Sequence, residues 1–349
     1  MGPKKKRLVL IGPVPPPLGG VSMHLQRLGR LLKDDFEIDW IDESKTIKES
    51  VFNLRNLHLI QYVKKIWQAD LLSVHSGLRS LRYFHILTAK ILGRKVVLSL
   101  HAYPDRKGWM KRKADEKILG WADRIIIVNN DFLERLKLPA KKTIVKFAFL
   151  PPIMEDEAPL PKNIEDWIEN RRKQGHKIIC ANAWRLDRFN DQDLYGVDLC
   201  IELARRMQSR HEQVSILFNI ATIDRYGEDY ERYQQQIREL AVENHIWLVN
   251  ESLSFVRLME KSDLVLRPTN TDGDSLTIRE ALYLGRPIIA SDVIERPAHT
   301  ILFRNRDIDD LEKCVLAAIR NPTPVNFPAI SNSAGEYHSF YKNEFLKAL

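Results

Sequence analysis

Short, unbroken apolar runs recur along this chain and restrict its fold more than any other feature. Leu8-Val9-Leu10-Ile11, Val96-Val97-Leu98-Ser99-Leu100 and Arg124-Ile125-Ile126-Ile127-Val128 lack the in–out alternation of a half-exposed strand. Near-continuous runs of this length belong to parallel sheets covered on both faces. The first run stops at Gly12, followed by Pro13-Val14-Pro15-Pro16-Pro17 and Gly19-Gly20. Val21, Leu25, Leu28, Leu31 and Leu32 then recur at helical spacing. Strand, glycine loop and helix form the first unit of a doubly wound α/β domain, whose ligands lie beyond the carboxyl ends of its strands. Gly19 and Gly20 either let a ligand approach the backbone closely or supply a turn with positive φ. The loop matches neither the dinucleotide fingerprint nor the Walker phosphate loop.

The alternation continues through Leu71–Val74, ending at His75, a helix over 81–92, and the run ending at His101. At 349 residues the chain is long enough for two domains. The pattern breaks around Pro151-Pro152 and Glu155-Asp156-Glu157, which predicts a linker over 156–176, carrying a short helix about Trp167, between domains at 1–155 and 177–330. Strands are predicted at 177–181, 214–219, 246–249, 263–266 and 288–291, with helices at 197–208, 229–243, 254–261 and 308–320. In the tail, 331–349, Tyr337, Phe340, Tyr341 and Phe345 fall at helix-like spacing, giving a closing helix that packs back on the first domain.

A 44% hydrophobic and 29% charged composition is that of a globular protein. No apolar run approaches the roughly 20 residues that span a bilayer, and neither a signal peptide nor a myristoylation pattern is read at the start. Cys180, Cys200 and Cys314 are scattered, as expected of reduced thiols in a cytoplasmic protein. The net charge of +8 is unevenly shared. Residues 1–150 hold 29 Lys and Arg against 14 Asp and Glu, and the remainder holds 25 against 32. A basic first half beside an acidic second half predicts an anionic partner for the first. Residues 105–117, rich in Lys and Arg around Trp109 and Met110, suit a membrane surface, an acceptor or simple solvation. No nucleic-acid motif accompanies the charge.

The stretch Thr271–Pro287 is the densest in chemistry. A polar, glycine-containing loop becomes a helix, stops at Gly285 and restarts as the strand 288–291. Such a helix start is an anion site, because unpaired N–H groups and the helix dipole converge there. Asp272 and Glu280 bracket it. No Ser-His-Asp set and no His/Cys/Asp cluster at metal-ligand spacing is present in the sequence.

Asp272, Gly273, Leu276, Glu280-Ala281, Gly285, Pro287 and Ala290-Ser291 resemble the donor motif of retaining glycosyltransferases of the GT-B fold, family 4 type. Gly19-Gly20 with His24, His101 at a strand end, and Arg185 in Asn182-Ala183-Trp184-Arg185-Leu186 extend the likeness over most of the chain. The resemblance implies two Rossmann-like domains facing across a cleft, the first for the acceptor and the second for the donor. It implies transfer from a nucleoside-diphosphate sugar, UDP by family frequency, to a saccharide or lipid-linked saccharide. Bacterial surface polysaccharide or glycolipid synthesis at an anionic inner membrane face would be the setting. Metal independence is implied too, with no cofactor.

Residue by residue, the resemblance gives Glu280 the nucleotide ribose, and Gly273 with the backbone of Asp274, Ser275 and Leu276 the diphosphate. Asp272 or Asp274 contacts the sugar, Asp274 otherwise capping the helix with Ser275. His101 lies beside the sugar or is structural, and His24 either reaches the acceptor or only packs. Arg185 opposes charge developing on the leaving group. The family's nearby lysine is missing, since Tyr195 precedes Gly196, and Arg188 is expected to supply that charge. An epimerase or phosphorylase of the same fold, or a catalytically idle donor-binding subunit, are the rival expectations.

Overall fold

The apolar runs pair into two separate parallel sheets in a computed structural model that describes residues 4–15, 19–101, 109–128, 133, 135–146, 149–223, 226–273, 275–321 and 333–349. The chain divides into one unit of Met1–Leu150 with Asn332–Leu349 and a second of Pro151–Ser331.

In the first unit, β1 (Lys6–Gly12) leads through α1 (Gly20–Leu32) to β2 (Phe36–Asp42). Then come α2 (Leu59–Gln68), β3 (Leu71–Val74), α3 (Arg79–Ile91), β4 (Lys95–Leu100), α4 (Trp109–Leu119), β5 (Arg124–Ile127) and β6 (Thr143–Val145). The order β2-β1-β3-β4-β5-β6 places the switch point between β1 and β3. Their register runs from Leu8↔Leu71 to Ile11↔Val74, so Gly12 and His75 emerge side by side. Alternate strand residues feed opposite faces. Val9, Ile11, Leu72, Val74, Val96 and Leu98 meet Tyr62, Ile66 and Ile86 of α2 and α3. Leu8, Leu10, Leu71 and Val97 meet Leu25 and Leu28 of α1. β2 escapes the apolar-run criterion because it is an edge strand, and its Phe-Glu-Ile-Asp-Trp-Ile-Asp alternates.

In the second unit, α5 (Lys162–Lys173) precedes β7 (Lys177–Arg185), a small hairpin of β8 (Arg188–Phe189) and β9 (Gln192–Asp193), and α6 (Val197–Ser209). Next are β10 (Val214–Thr222), α7 (Gly227–Glu239), β11 (Ile246–Val249), α8 (Phe255–Glu260), β12 (Leu264–Arg267), α9 (Leu276–Tyr283), β13 (Ile288–Ser291), β14 (Ile301–Phe303) and α10 (Ile308–Arg320). The order β11-β10-β7-β12-β13-β14 puts this switch point between β7 and β12. Gly285, at φ 65°, ends α9 where the sequence predicts.

The expected linker is a correction. Residues 156–176 contain α5, whose Ile164 and Ile168, with Leu160 before it, pack into the core against Ile178, Cys180 and Ile288. The prolines and acids mark the way into the second unit, and the apolar 4-residue spacing within marks a helix. The last helix, α11 (Ser333–Leu346), buries Tyr341 and Phe345 among Leu25, Leu28 and Phe36 of the first unit. Cys180 and Cys200 are buried and Cys314 partly so, all three as free thiols. Among the described residues no helix is long and apolar enough to cross a membrane.

Candidate functional site

At the carboxyl edge of the first sheet, three histidines from distant points in the sequence come together. His75 leaves β3, His101 leaves β4, and His24 projects from α1, with ligand-capable nitrogens all within 4.8 Å of one another. His75 Nδ1 and His101 Nε2 share a hydrogen bond at 2.9 Å, and His75 Nε2 and Ser73 Oγ another at 2.8 Å. Gly12 makes room for this: a Cβ there would lie 3.2 Å from the Cβ of His75. Burial, then the neighbouring imidazoles, holds the pKa of His75 well below its ordinary value. Burial, then His24, does the same for His101. Neutral imidazoles are the form that ligates zinc-like ions, and among the described residues these three histidines are grouped closely enough to hold one. The sequence spacing hid the cluster because the sheet topology, not the chain, assembles it.

His24 does not reach outward. It is buried, edge-on to His101 and to Tyr341 of the closing helix. Gly19 and Gly20 both have φ below zero, so no turn demands glycine there. Among the described residues nothing lies within 4 Å of a Cβ at Gly20, and at Gly19 the Ser22 hydroxyl lies 3.7 Å away. Acidic side chains that sequence reasoning missed organise this edge. Asp42 accepts from Val14 N–H, Ser44 and Lys48. Glu43 accepts from Ser76 Oγ at 2.5 Å and pairs with His85 Nε2 at 2.9 Å.

In the second unit, β7 and β12 end beside the loop that enters α9. Asp272 in that loop is saturated. It accepts from Arg267 Nε and Nη2 at 3.0 Å each, Arg296 Nη1 at 2.9 Å, Thr269 Oγ1 at 3.2 Å and its neighbour Gly273 N–H at 3.1 Å. A carboxylate offers about four lone-pair positions, so five donors leave none for a sugar hydroxyl. This corrects the expectation that Asp272 acts on the donor directly. Burial raises its pKa, and the two guanidinium groups outweigh that and hold it below the ordinary value. One carboxylate between two guanidiniums leaves a surplus positive charge, with Arg296 1% and Arg267 13% exposed. Arg267 also lies over the Tyr195 ring, 5.5 Å from its centroid. Ser291 at the end of β13 donates to Thr269 O at 2.6 Å and fixes the loop backbone.

Arg185, the last residue of β7, stacks on Trp184 and pairs with Asp187 at 3.1 Å. Arg188 is the second correction. In the hairpin, its guanidinium is spent on Asp229 of α7, at 2.9 and 2.5 Å. A cation that the sequence places unremarkably at a strand end, Arg267, stands at this edge instead. Ser275 stands at the N-cap of α9 without a side-chain cap bond, and among the described residues no acid occupies the first turn, so the N–H groups from Leu276 onward carry the positive end of the helix dipole. Thr277 Oγ1 donates to Asn182 Oδ1 at 3.3 Å. Glu280 is buried in the same helix. Gly273 has open space above it, and Asp274 lies outside the described residues.

No protein-family model matches the sequence, and no curated protein does. Solved structures do. Along 97% of this chain and 95% of the other, it superposes on Anabaena HepE in complex with UDP and glucose, at a TM-score of 0.65 and 16% identity. A glycosyltransferase from Rickettsia africae gives 0.70 over 99% and 94%, at 16% identity. The trehalose-6-phosphate synthase OtsA gives 0.67 over 99% and 100%, at 11%. The fold is GT-B. In GT-B terms the Asp272–Arg267–Arg296 cluster and the start of α9 belong to the second Rossmann-like unit, and the histidine cluster to the first.

Proposed function

We propose that the chain is a retaining glycosyltransferase that takes a nucleoside-diphosphate sugar, UDP-linked by preference, at its second unit. The observation that carries this is the surplus positive charge at the edge of β7 and β12, beside the uncapped start of α9. A helix start and guanidinium groups together suit a diphosphate. HepE, with the same fold, was solved with UDP and with UDP-glucose.

In this reading the N–H groups of Ser275 and Leu276, over Gly273, hold the diphosphate and Glu280 accepts from the ribose hydroxyls. As the sugar–phosphate bond breaks, negative charge grows on the leaving nucleoside diphosphate. Arg185 and Arg267 stabilise it where it develops, and Asp272 with Arg296 positions Arg267. These cations do the work for which other enzymes recruit a divalent ion, so activity should survive chelation. Neutral His101 lies by the sugar, and the basic first unit receives a lipid-linked saccharide at the cytoplasmic face of an anionic membrane. The setting is bacterial surface polysaccharide or glycolipid synthesis.

A thermal-shift screen with UDP-, GDP- and ADP-sugars tests the donor. A ligand at a hundred times its Kd stabilises by about 2.7 kcal/mol. Anomeric NMR of the product tests retention. Epimerised donor without acceptor, or strict dependence on phosphate, would replace the transferase reading. The saturated Asp272 favours one rival, a donor-binding subunit without turnover. Tight UDP-sugar binding with neither hydrolysis nor transfer across an acceptor panel would establish it.

A further inference from the structure

Helix α2, Leu-Ile-Gln-Tyr-Val-Lys-Lys-Ile-Trp-Gln, has an apolar arc far wider than the protein covers. Tyr62 and Ile66 are buried on the first sheet, but Leu59, Ile60, Val63 and Trp67 are 60, 89, 42 and 60% exposed. At 3.6 residues per turn those four span roughly 100° of bare surface. Monomeric proteins rarely leave such a stripe uncovered without a use for it. Trp109 and Met110, opening α4 in the same helix layer, are also exposed, at 73 and 69%.

Charge decides what this face meets. Residues 51–95 carry eight Lys and Arg against a single acid, Asp70. Lys64 is exposed at the edge of the stripe, and Arg94 lies over the Trp67 ring, 5.9 Å from its centroid. Of the cations in 51–95, Lys65 pairs with Asp39, Arg79 with Asp115, and Lys90 and Lys95 with Asp123, while Arg82 is buried, so it is Lys64 and Arg94 that bring positive charge to the stripe. A bilayer of anionic lipid offers both an apolar interior for Leu59, Ile60 and Trp67 and negative headgroups for the cations around them. Ten residues cannot span a bilayer, and they suffice to lie in its interface.

We propose that the outer face of α2 seats the first unit on an anionic membrane. Crossover helices of a parallel sheet run back from the carboxyl edge, so α2 and α4 begin at the edge where His75 and His101 sit. A bilayer held there presents a lipid-linked acceptor to the histidine cluster. That role rests on the transferase reading, whereas membrane binding itself does not.

The test is co-sedimentation of the full chain with phosphatidylcholine vesicles, with and without phosphatidylglycerol. The wild type is expected to bind the anionic vesicles alone, and less at high salt. Ile60→Glu with Trp67→Glu, both at exposed positions, should lower binding at least about tenfold while leaving the melting temperature and UDP affinity unchanged. Lys64→Glu should weaken binding at low salt and make its dependence on salt shallower. Absence of wild-type binding at low salt, or equal binding by the double variant, overturns the proposal. So does a wild-type dimer that the double variant splits without changing vesicle binding. Failure of donor binding would refute the transferase reading and leave the vesicle result standing.

Discussion

Arg296 donates to Asp272 at 2.9 Å across 24 residues of sequence, and both side chains are almost wholly buried. Arg296 also donates to Ser291 O at 3.0 Å, so the pair ties the end of β13 to the loop before α9. Removing one member strands a buried charge. Asp272→Asn should therefore cost about 3 kcal/mol and lower the melting temperature by roughly 6–10 °C. Because the loop backbone is held by this pair, UDP affinity should fall as well. A melting temperature within a degree or so of wild type would show that the pair carries no such weight.

Glu280, Arg267 and Arg188 separate three roles in one calorimetric series. Glu280→Gln should weaken UDP about tenfold and leave pyrophosphate binding alone, because its proposed contact is with the ribose. Arg267→Ala should weaken both by about tenfold or more and cut turnover further. Arg188→Ala, whose cation is already paired with Asp229, should stay near wild type in all three. A turnover loss at Arg188 exceeding that at Arg267 would reverse the assignment.

Gly196 precedes α6 at φ 76°, and a Cβ there would sit 2.4 Å from Pro268 O. Strain and overlap act together at this position, so Gly196→Ala should destabilise the second unit by about 2–4 kcal/mol. Chemical denaturation measures it directly. An effect below about 1 kcal/mol would mean that the β12 loop yields easily.

The α/β alternation is legible in the sequence because strands buried on both faces must be apolar throughout, as Leu8–Ile11 and Ile125–Ile127 are. The helix start after Gly273 and its stop at Gly285 are legible because backbone chemistry there is local. What is hidden depends on pairing across the fold. Nothing in the spacing of 24, 75 and 101 says that three imidazoles touch. Nor does Asp272 advertise that Arg267 and Arg296 consume its lone pairs, so a motif position that resembles a sugar contact turns out to be a structural hub. Arg188 misled for the same reason, since its partner Asp229 lies on a helix four elements later.

The histidine cluster makes the first unit sensitive to acid, and the sign follows from its burial. His75 and His101 have folded pKa values held well below the ordinary one, first by burial and then by neighbouring imidazoles. In the unfolded chain they titrate near 6.5. Below that pH the unfolded state binds more protons, so their contribution is complete above about pH 6.5 and is lost progressively as pH falls. Asp193 in the second unit acts in the opposite sense. Burial, then Asp198, raises its carboxyl to about 6, so acidification through that pH relieves a cost. The difference between proteins isolates the cluster. Wild type should lose stability between pH 7 and 5 more steeply than His75→Gln, which keeps a hydrogen-bonding side chain but has no proton to gain. The change in unfolding free energy with pH, compared between the two, reads this out. Parallel curves would mean that His75 takes up its proton as readily in the folded protein as in the unfolded chain, and that burial does not hold it neutral.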